Sequence, residues 1–259
     1  MRAGPAGVCA FDMAMPFAGA LPLTKRRFLP ILVTKDYVTG ADEHMRKGES
    51  KRQEMLNAAE QLFLSKGYEA TSVQDILDAL HASKGGFYHH FASKEDVLRV
   101  LCSQHAERAA AWTAQALEGA ADDMARINAV LRGFTPLRRQ EADFLHMLMP
   151  AISRPEGRAM ALIYQDALME RFLPLLARQI ATATVSGTLC PPVRALEEDV
   201  LLLVNQCWMA IAADLHARRD AAAMLPRLER TRRAIEVLLD APYGSVEIVR
   251  LEEVLRLAQ

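Results

Sequence analysis

Glycine and proline are scarce in this sequence, with 13 glycines and 12 prolines among 259 residues. Hydrophobic residues make up 51% and charged residues 24%, so the chain is not disordered throughout. The scarcity of turn-forming residues favours many helices and few strands. Charge of one sign is also lacking, because the net charge at pH 7 is −1. Any site for a nucleic acid must therefore be local rather than a property of a basic chain.

Paired cysteines and long apolar runs are missing as well. The four cysteines lie far apart, at Cys9, Cys102, Cys190 and Cys207. Because no C-x-x-C pair occurs, free thiols in a reducing cytoplasm are expected. The longest apolar run, 200–213, falls short of about 18 residues and contains Asn205 and Gln206. This run predicts a buried helix and no membrane contact.

Residues 1–44 differ from the rest, because prolines interrupt the apolar residues before a helical period is established. A secretory signal is one interpretation, since Ala18-Gly19-Ala20 resembles a cleavage site. However, Asp12 and Pro16 interrupt the apolar stretch, and the basic residues follow it. We expect instead a disordered extension, in front of a domain that starts at Met45.

Helical periodicity dominates from about residue 50 onward. A first helix, about 50–66, is followed by Gly67, a residue type preferred where helices end in a left-handed cap. A second helix, about 72–80, is preceded by Thr71, which has Gln74 three residues later in the spacing of a capping box.

Ser83 and Ser93 predict the starts of two more helices. The first of these is short, about nine residues, and the second continues to about Leu117. More amphipathic helices are predicted near 120–134, 137–152, 157–182, 195–218 and 221–240, with a short amphipathic tail near 245–258.

The short third helix predicts a function. It is too short to be stable alone, so helices one and two must hold it in place. A helix, a tight turn and a short second helix form a helix-turn-helix, in which the last helix enters the DNA major groove. Its exposed face offers Lys84, Gly85, Gly86, Tyr88 and His89. The glycines let the backbone approach a sugar-phosphate chain, and the other side chains can donate to phosphates or base edges.

Helix N-termini supply further donors. Backbone amides at Thr71, Ser83 and Ser93 would face phosphates, with Lys94 beside the last of them. Residues 45–94 hold seven lysines and arginines against six acidic residues. Nonspecific affinity is therefore expected to be limited, and specificity to depend on placement.

The same residues allow an enzymatic interpretation. Ser83, His89 and Asp96 could form a catalytic triad, but helix capping explains them, and no glycine-rich nucleophile elbow precedes Ser83. His89 and His90 could bind a metal ion, but adjacent residues do not share a helix face. Zinc spacings, phosphate loops and dinucleotide motifs are also missing, so we expect no enzyme, no metal and no cofactor.

The stretches "AAEQLFLSKGYEATSVQDI", "SKGGFYHHF" and "SKEDVL" occur in one order and spacing within residues 51–101. This region closely resembles the DNA-binding domain of the TetR (tetracycline-repressor-like) transcriptional regulators. One departure lies in the turn, where the family commonly has Ala-Gly-Val and this chain has Leu80-His81-Ala82.

The resemblance implies which residues contact DNA. Thr71, Lys84, Gly85, Tyr88, His89 and Lys94 fall on positions that family members use there. The full predicted DNA-binding set is Thr71, Ser72, Ser83, Lys84, Gly85, Gly86, Tyr88, His89 and Lys94. We predict an all-α protein with a helix-turn-helix domain at 45–97 and a helical ligand-binding and dimerisation domain at 98–259.

TetR-like regulators pair their C-terminal helices into a dimer that binds a palindromic operator. Here one helical stripe could form this interface, but a core within a single chain is equally consistent with the periodicity. The predicted interface residues are Val200, Val204, Cys207, Trp208, Ile211, Leu215, Leu228 and Ile235.

The resemblance also implies release from DNA by a small effector, for which adaptable methionine and aromatic side chains could line a cavity. The predicted lining residues are Trp112, Phe144, His146, Met147, Tyr164, Met169 and Phe172. Each of them is individually more often plain core. We expect a homodimeric repressor that a small hydrophobic molecule releases from double-stranded DNA. The alternatives are a helical interaction module or a DNA-binding protein without an effector response.

Overall fold

The structure is a computed structural model that describes residues 38–135, 158–193, 196–217 and 224–249. Within these ranges it is entirely helical, which confirms the predicted all-α class. The helices are α1 Val38–Lys66, α2 Val73–Leu80, α3 Lys84–His90, α4 Lys94–Glu118, α5 Asp123–Phe134, α6 Arg158–Val185, α7 Glu197–His216 and α8 Leu225–Leu239.

The chain divides into two units, Met1–His44 and Met45–Gln259. Because α1 begins at Val38, residues 38–44 are helical, although we expected them to belong to a disordered extension. The predicted helix at 137–152 lies outside the described residues. No helix in the described part of the chain is long and apolar enough to cross a membrane.

The start of α2 differs from the prediction by one residue. Its N-cap is Ser72 rather than Thr71: the Asp75 N–H donates to Ser72 Oγ at 3.1 Å, and the Ser72 N–H donates to Asp75 Oδ2 at 2.7 Å. This is a reciprocal capping box with aspartate at its third position. The Thr71 hydroxyl instead donates to the Gly67 carbonyl at 2.8 Å, which closes the loop between α1 and α2.

The other two predicted serine caps are confirmed. Ser83 Oγ accepts from the Gly86 N–H at 3.2 Å at the start of α3, and Ser93 Oγ accepts from the Asp96 N–H at 3.2 Å at the start of α4. Each hydroxyl satisfies a backbone donor that has no partner within its helix. A serine side chain therefore caps the N-terminus of each of α2, α3 and α4.

One buried core extends from α1 to the C-terminal segment, and α4 connects its two ends. The start of α4 buries Val97 and Leu98 in the same core as α2 and α3, and its later turns contact α5 and α6. At Gly133 of α5 the helices come so close that an added Cβ would lie 1.9 Å from Thr113 Oγ1 of α4. The predicted domain boundary at 97/98 thus falls inside a continuous, well-packed helix.

The end of the described chain is not the amphipathic helix predicted near 245–258. Residues 245–249 are not helical, and the remainder lies outside the described residues. These residues are not helical because two side chains, Asn128 and Glu236, hydrogen-bond to their backbone. The Asn128 amide donates to the Ser245 carbonyl at 2.7 Å and accepts from the Glu247 N–H at 2.8 Å, while buried Glu236 accepts from the Gly244 N–H at 2.7 Å. These bonds use backbone groups that a helix would need.

Candidate DNA-binding site

The turn between α2 and α3 closes without a glycine. His81 caps the end of α2 in the left-handed conformation, with φ 50° and ψ 37°. The N–H of His81 donates to the Asp78 carbonyl at 3.3 Å, and the N–H of Ala82 donates to the Leu77 carbonyl at 2.9 Å. This bonding pattern ends many helices and usually places glycine at the left-handed position. A residue with a Cβ is disfavoured there by about 1–2 kcal/mol, so His81 stores strain in the turn.

The inner face of α3 is anchored by two phenylalanines. Phe87 and Phe91 are completely or almost completely buried, with ring centroids 5.7 Å apart. Gly86 lies next to them, where an added Cβ would contact Ser83 Oγ at 3.4 Å. These contacts fix the rotation of α3, and so they determine which side chains point outward.

The outer face of α3 carries four of the residues predicted to contact DNA. Lys84, Gly85, Tyr88 and His89 are all exposed, and Tyr88 is 57% exposed despite its aromatic ring. An added Cβ at Gly85 would meet nothing within 4 Å, so a phosphate chain could approach its backbone closely. The structure therefore places these residues together on one solvent-facing surface.

A groove of about 410 Å³ lies beside this surface. It is lined by the loop before α2, by Tyr88 of α3 and by the first residues of α4. Because Ser72 and Ser93 mark the starts of α2 and α4, the positive ends of two helices meet at one groove. The helix ends favour an anionic group, whereas the carboxylates of Glu69 and Glu95 on the same lining oppose one.

Two side chains of the predicted DNA-binding set have internal partners instead. Thr71 is buried, its hydroxyl donates to the carbonyls of Gly67 and Leu62, and its N–H donates to the Tyr68 carbonyl. Its hydrogen-bond donors are thus already used inside the protein. The prediction that Thr71 offers a donor to phosphate is wrong in this structure, and Ser72 occupies the exposed capping position.

Lys94 is the second of these residues. Its ammonium group donates to the carbonyls of Tyr68 at 2.9 Å and Thr71 at 3.0 Å, and it lies 4.2 Å from the centre of the Tyr68 ring. The Tyr68 hydroxyl in turn donates to Glu95 at 3.3 Å. Burial, together with the nearby Glu95 carboxylate, raises the pKa of Tyr68 above its ordinary value, so the hydroxyl remains a donor. Lys94 therefore ties the start of α4 to the loop before α2.

Asp75 keeps negative charge close to the predicted DNA surface. Hydrogen bonds from Lys66 at 2.8 Å and from Ser72 hold the pKa of its carboxyl far below the usual range. Because Lys66 and Asp75 neutralise each other, this carboxylate adds little net repulsion towards a phosphate.

A buried histidine that the sequence did not reveal joins α1 to α4. His105 Nε2 lies 2.9 Å from Glu60 Oε1, and only 5% of the histidine side chain is exposed. Burial lowers the pKa of His105 more than the Glu60 hydrogen bond raises it, and the same hydrogen bond lowers the pKa of Glu60. The lowered pKa values of both groups correspond to a neutral imidazole that donates a hydrogen bond to the Glu60 carboxylate. The pair holds the support helix of the DNA-binding region against α4.

The predicted effector-lining residues do not form a single cavity in the described part of the chain. Tyr164 and Phe172 are buried in the core, Trp112 is 45% exposed, and Met169 lines a separate surface groove between α6 and α7. Phe144, His146 and Met147 lie outside the described residues. Phe172 packs edge to face on Phe134 with the centroids 5.5 Å apart, as a core residue does.

The predicted dimer stripe is core within one chain. Six of its members are buried by their own subunit: Val200, Val204, Cys207, Trp208, Ile211 and Ile235. Leu228 is partly buried against the same core, and the side chain of Leu215 lies outside the described residues. The prediction that these side chains face a second subunit is therefore wrong, because α5, α6 and each other already cover them.

No metal centre is evident in the described ranges, where no three histidine, cysteine or acidic side chains could together hold an ion. Cys102, Cys190 and Cys207 are free thiols. Burial raises the pKa of the Cys102 thiol to about 12, so it is held as an unreactive core group.

Comparison with known proteins addresses the same segment. Residues 55–101 match the sequence profile described as "Bacterial regulatory proteins, tetR family". The chain is 23% identical over 132 residues to the HTH-type transcriptional activator FasR of Mycolicibacterium smegmatis, an alignment that covers 50% of this chain and 60% of FasR. It is 24% identical over 176 residues to the HTH-type transcriptional regulator UidR of Escherichia coli K12, covering 68% of this chain and 87% of UidR.

A solved structure shares the fold. The crystal structure of a transcriptional regulator from Saccharomonospora viridis in complex with choline superposes with a TM-score of 0.51 at 18% identity, covering 73% of this chain and 96% of that one. At this identity the likeness concerns the fold alone. The helix-turn-helix built by α2 and α3 lies within residues 55–101, the segment that matches the tetR family of bacterial regulatory proteins.

Proposed function

We propose that this protein is a sequence-specific transcriptional regulator that inserts α3 into the major groove of a palindromic DNA operator as a homodimer. The observation that carries the proposal is the outer face of α3, where Lys84, Tyr88 and His89 are exposed while Phe87 and Phe91 lock the helix from within. A rigid short helix with outward donors suits base and phosphate contacts.

The contacts divide into two classes. Lys84 and His89 can donate to base edges or phosphates, and the Tyr88 hydroxyl can donate to a phosphate at the rim of the groove. The starts of α2 and α4 direct backbone amides towards the same groove, which favours an anionic phosphate. Lys94 contributes by positioning α4 rather than by a direct contact.

Dimerisation is proposed through α7 and α8, but through the stripe opposite the buried one. On α7 the outward residues recur every three or four positions and include Leu202, Gln206, Met209 and Ala213. On α8 the corresponding stripe includes Val237, which is 60% exposed. The α7 stripe is mainly apolar, and the α8 stripe combines Val237 with exposed arginines, a composition expected of a homodimer interface.

The direction of control and the effector are part of the proposal. FasR is an activator by name, so repression here is supported by the general expectation for the family and not by that relative. The Saccharomonospora viridis protein binds choline, which supports a small organic effector for this chain as well. We propose a hydrophobic effector that enters the helical region and releases the DNA.

The experiment is a selection from random double-stranded DNA, followed by gel shifts on the selected sequence. Recovery of an inverted repeat, with half-sites about one helical turn or a multiple of it apart, supports the dimeric regulator. Tyr88→Ala and Lys84→Ala are each expected to weaken binding by about 1–3 kcal/mol without altering thermal stability.

Val185→Ala is the control, because Val185 is 91% exposed at the end of α6 and belongs to neither α3 nor the helices proposed for the dimer. Equal affinity of the Tyr88→Ala variant and the control would show that α3 is not the recognition helix. If no sequence is enriched, the protein is a helical interaction module instead. Adding a panel of small hydrophobic and quaternary ammonium compounds to the complex then tests for effector release.

A further inference from the structure

The helices α7 and α8 carry opposite charges. Helix α7 contains four acidic side chains and no lysine or arginine, and three of the acids occupy its first turn. Helix α8 contains four arginines against two glutamates. Within the chain Arg227 of α8 pairs with Asp214 of α7, at 3.8 Å. This contact places the end of α7 beside the start of α8.

Arg232 and Arg233 pair with Glu229 and Glu236 within α8, but Glu198 and Arg230 lie too far apart to pair within one subunit. Glu198 lies sixteen residues before Asp214, which corresponds to about 24 Å along α7. Arg230 lies only three residues after Arg227, or about 4.5 Å along the antiparallel helix α8. The acidic end and the basic end of this helical pair are therefore separated by roughly 20 Å.

The acidic end forms a groove of about 340 Å³ between α6 and α7. Its apolar floor and acidic rim are formed by Met169, Leu173, Leu202, Asp166, Glu170 and Glu198. Asp166 and Glu170 are exposed and stand one turn apart on α6. Two like charges at this spacing repel each other, so a cationic partner would stabilise them.

Arg230 is exposed on the outward stripe of α8, in line with Arg233 and Val237. Arg233 already pairs with Glu236 at 3.1 Å, which leaves Arg230 as the better candidate for an external contact. Arginine is enriched at the centres of protein interfaces, because its planar group makes several directed hydrogen bonds.

We propose that the acidic groove between α6 and α7 of one copy receives the Arg230 region of α8 from a second copy, about a two-fold axis that crosses α7 near Gln206. A two-fold axis at Gln206 places the basic end of the α7–α8 pair of one copy opposite the acidic end of the other. Arg230 then lies beside Glu198 and Leu202 of the second copy. Two-fold symmetry makes the contact twice, once in each direction.

This inference rests on the proposed dimer, and it adds the register and the charge pairing. The test uses full-length protein and sedimentation equilibrium over a range of concentrations. Glu170→Lys and Arg230→Glu are each expected to weaken the homodimer by roughly fivefold, since two attractive contacts become repulsive. Mixing the two variants in equal amounts is expected to restore the wild-type dissociation constant, because both contacts in the mixed dimer are again between opposite charges.

Glu107→Lys and Arg178→Glu are matched controls, since both residues are exposed on α4 and α6 and lie outside the groove. They are expected to leave the dissociation constant unchanged. A second readout is Gln206→Cys in a chain with Cys9→Ser and Cys190→Ser, which is expected to form an intermolecular disulfide on oxidation.

The outcomes separate the two levels of the proposal. A wild-type protein that stays monomeric at every concentration contradicts the proposed dimer itself. A wild-type dimer that both charge variants leave unchanged, with no preference for the mixed dimer, overturns the charge pairing and leaves dimerisation intact. A dimer in which only the Gln206→Cys disulfide fails to form overturns the position of the axis.

Discussion

The helix-turn-helix and the pair formed by α7 and α8 both show apolar stripes in the sequence, but the stripes differ in what they reveal. In α3 the apolar residues Phe87 and Phe91 identify the buried side, and the functional side is the polar remainder. In α7 the same kind of stripe is equally consistent with a subunit interface and with a core inside one chain, and in the structure Trp208 and its neighbours are buried within their own chain. A stripe therefore locates a buried face and does not say which partner buries it.

Trp208→Ala gives the largest expected effect and tests this difference directly. Removing a buried tryptophan side chain is expected to cost about 3–5 kcal/mol of unfolding free energy. Urea denaturation at several protein concentrations measures it. The control is Val185→Ala, at the end of α6 with 91% of the residue exposed, and its expected change is within about 0.5 kcal/mol. If Trp208→Ala mainly weakens dimerisation and leaves the subunit stable, the assignment to the core is wrong.

Substitutions of Lys94 and Lys84 distinguish a residue that stabilises the DNA-binding region from one that contacts DNA. Lys94→Met removes two charged hydrogen bonds to backbone carbonyls and is expected to lower stability by about 1.5–3 kcal/mol without DNA present. Lys84→Met is expected to leave the melting temperature unchanged and to weaken DNA binding, since Lys84 is exposed on α3. Calorimetry and gel shifts together measure both. A Lys94→Met protein as stable as the wild type would contradict the positioning role.

Substitutions of His81, in the turn between α2 and α3, are expected to change the stability of the protein by a smaller amount, and the sign depends on the new residue. His81→Gly is expected to stabilise the protein by up to about 1 kcal/mol, because glycine adopts φ 50° without the penalty of a Cβ. His81→Val is expected to destabilise it by a similar amount or more. Thermal melts of the two variants measure the difference. Equal melting temperatures would show that the left-handed conformation carries no strain.

The smallest expected effect is the pH dependence contributed by His105. Because burial lowers its pKa in the folded state, the unfolded chain binds more protons below about pH 6.5, so stability falls as the solution becomes acidic. His105→Gln can keep a donor for Glu60 without titrating. Its stability is expected to fall less between about pH 7.5 and about pH 5.5 in urea denaturation. An unchanged pH slope would place the acid sensitivity elsewhere.

The features predicted well were those determined by a few neighbouring residues. The serine caps of α3 and α4, the short length of α3 and its exposed face all follow from local periodicity and from hydroxyl groups that satisfy helix amides. The cap of α2 was displaced by one residue because Ser72 and Thr71 are chemically similar. Only the contact of Asp75 with Ser72 distinguishes them.

The features missed were those that join distant parts of the chain. His105 meets Glu60, and Asn128 clamps the backbone at 245–247, across separations that no periodic pattern records. Residues 245–249 are not helical for the same reason. The Ser245 carbonyl and the N–H groups of Gly244 and Glu247 bond to side chains of α5 and α8.

By itself, the sequence determined the helical class, the helix-turn-helix and the exposed surface of α3, because capping and a 3.6-residue period act over one or two turns. Only the tertiary structure decided that Lys94 holds α4 to the loop before α2, that Thr71 is buried, and that the Trp208 stripe belongs to the core. Those outcomes depend on which surfaces meet, and burial and hydrogen-bond partners are settled only once the helices are packed together.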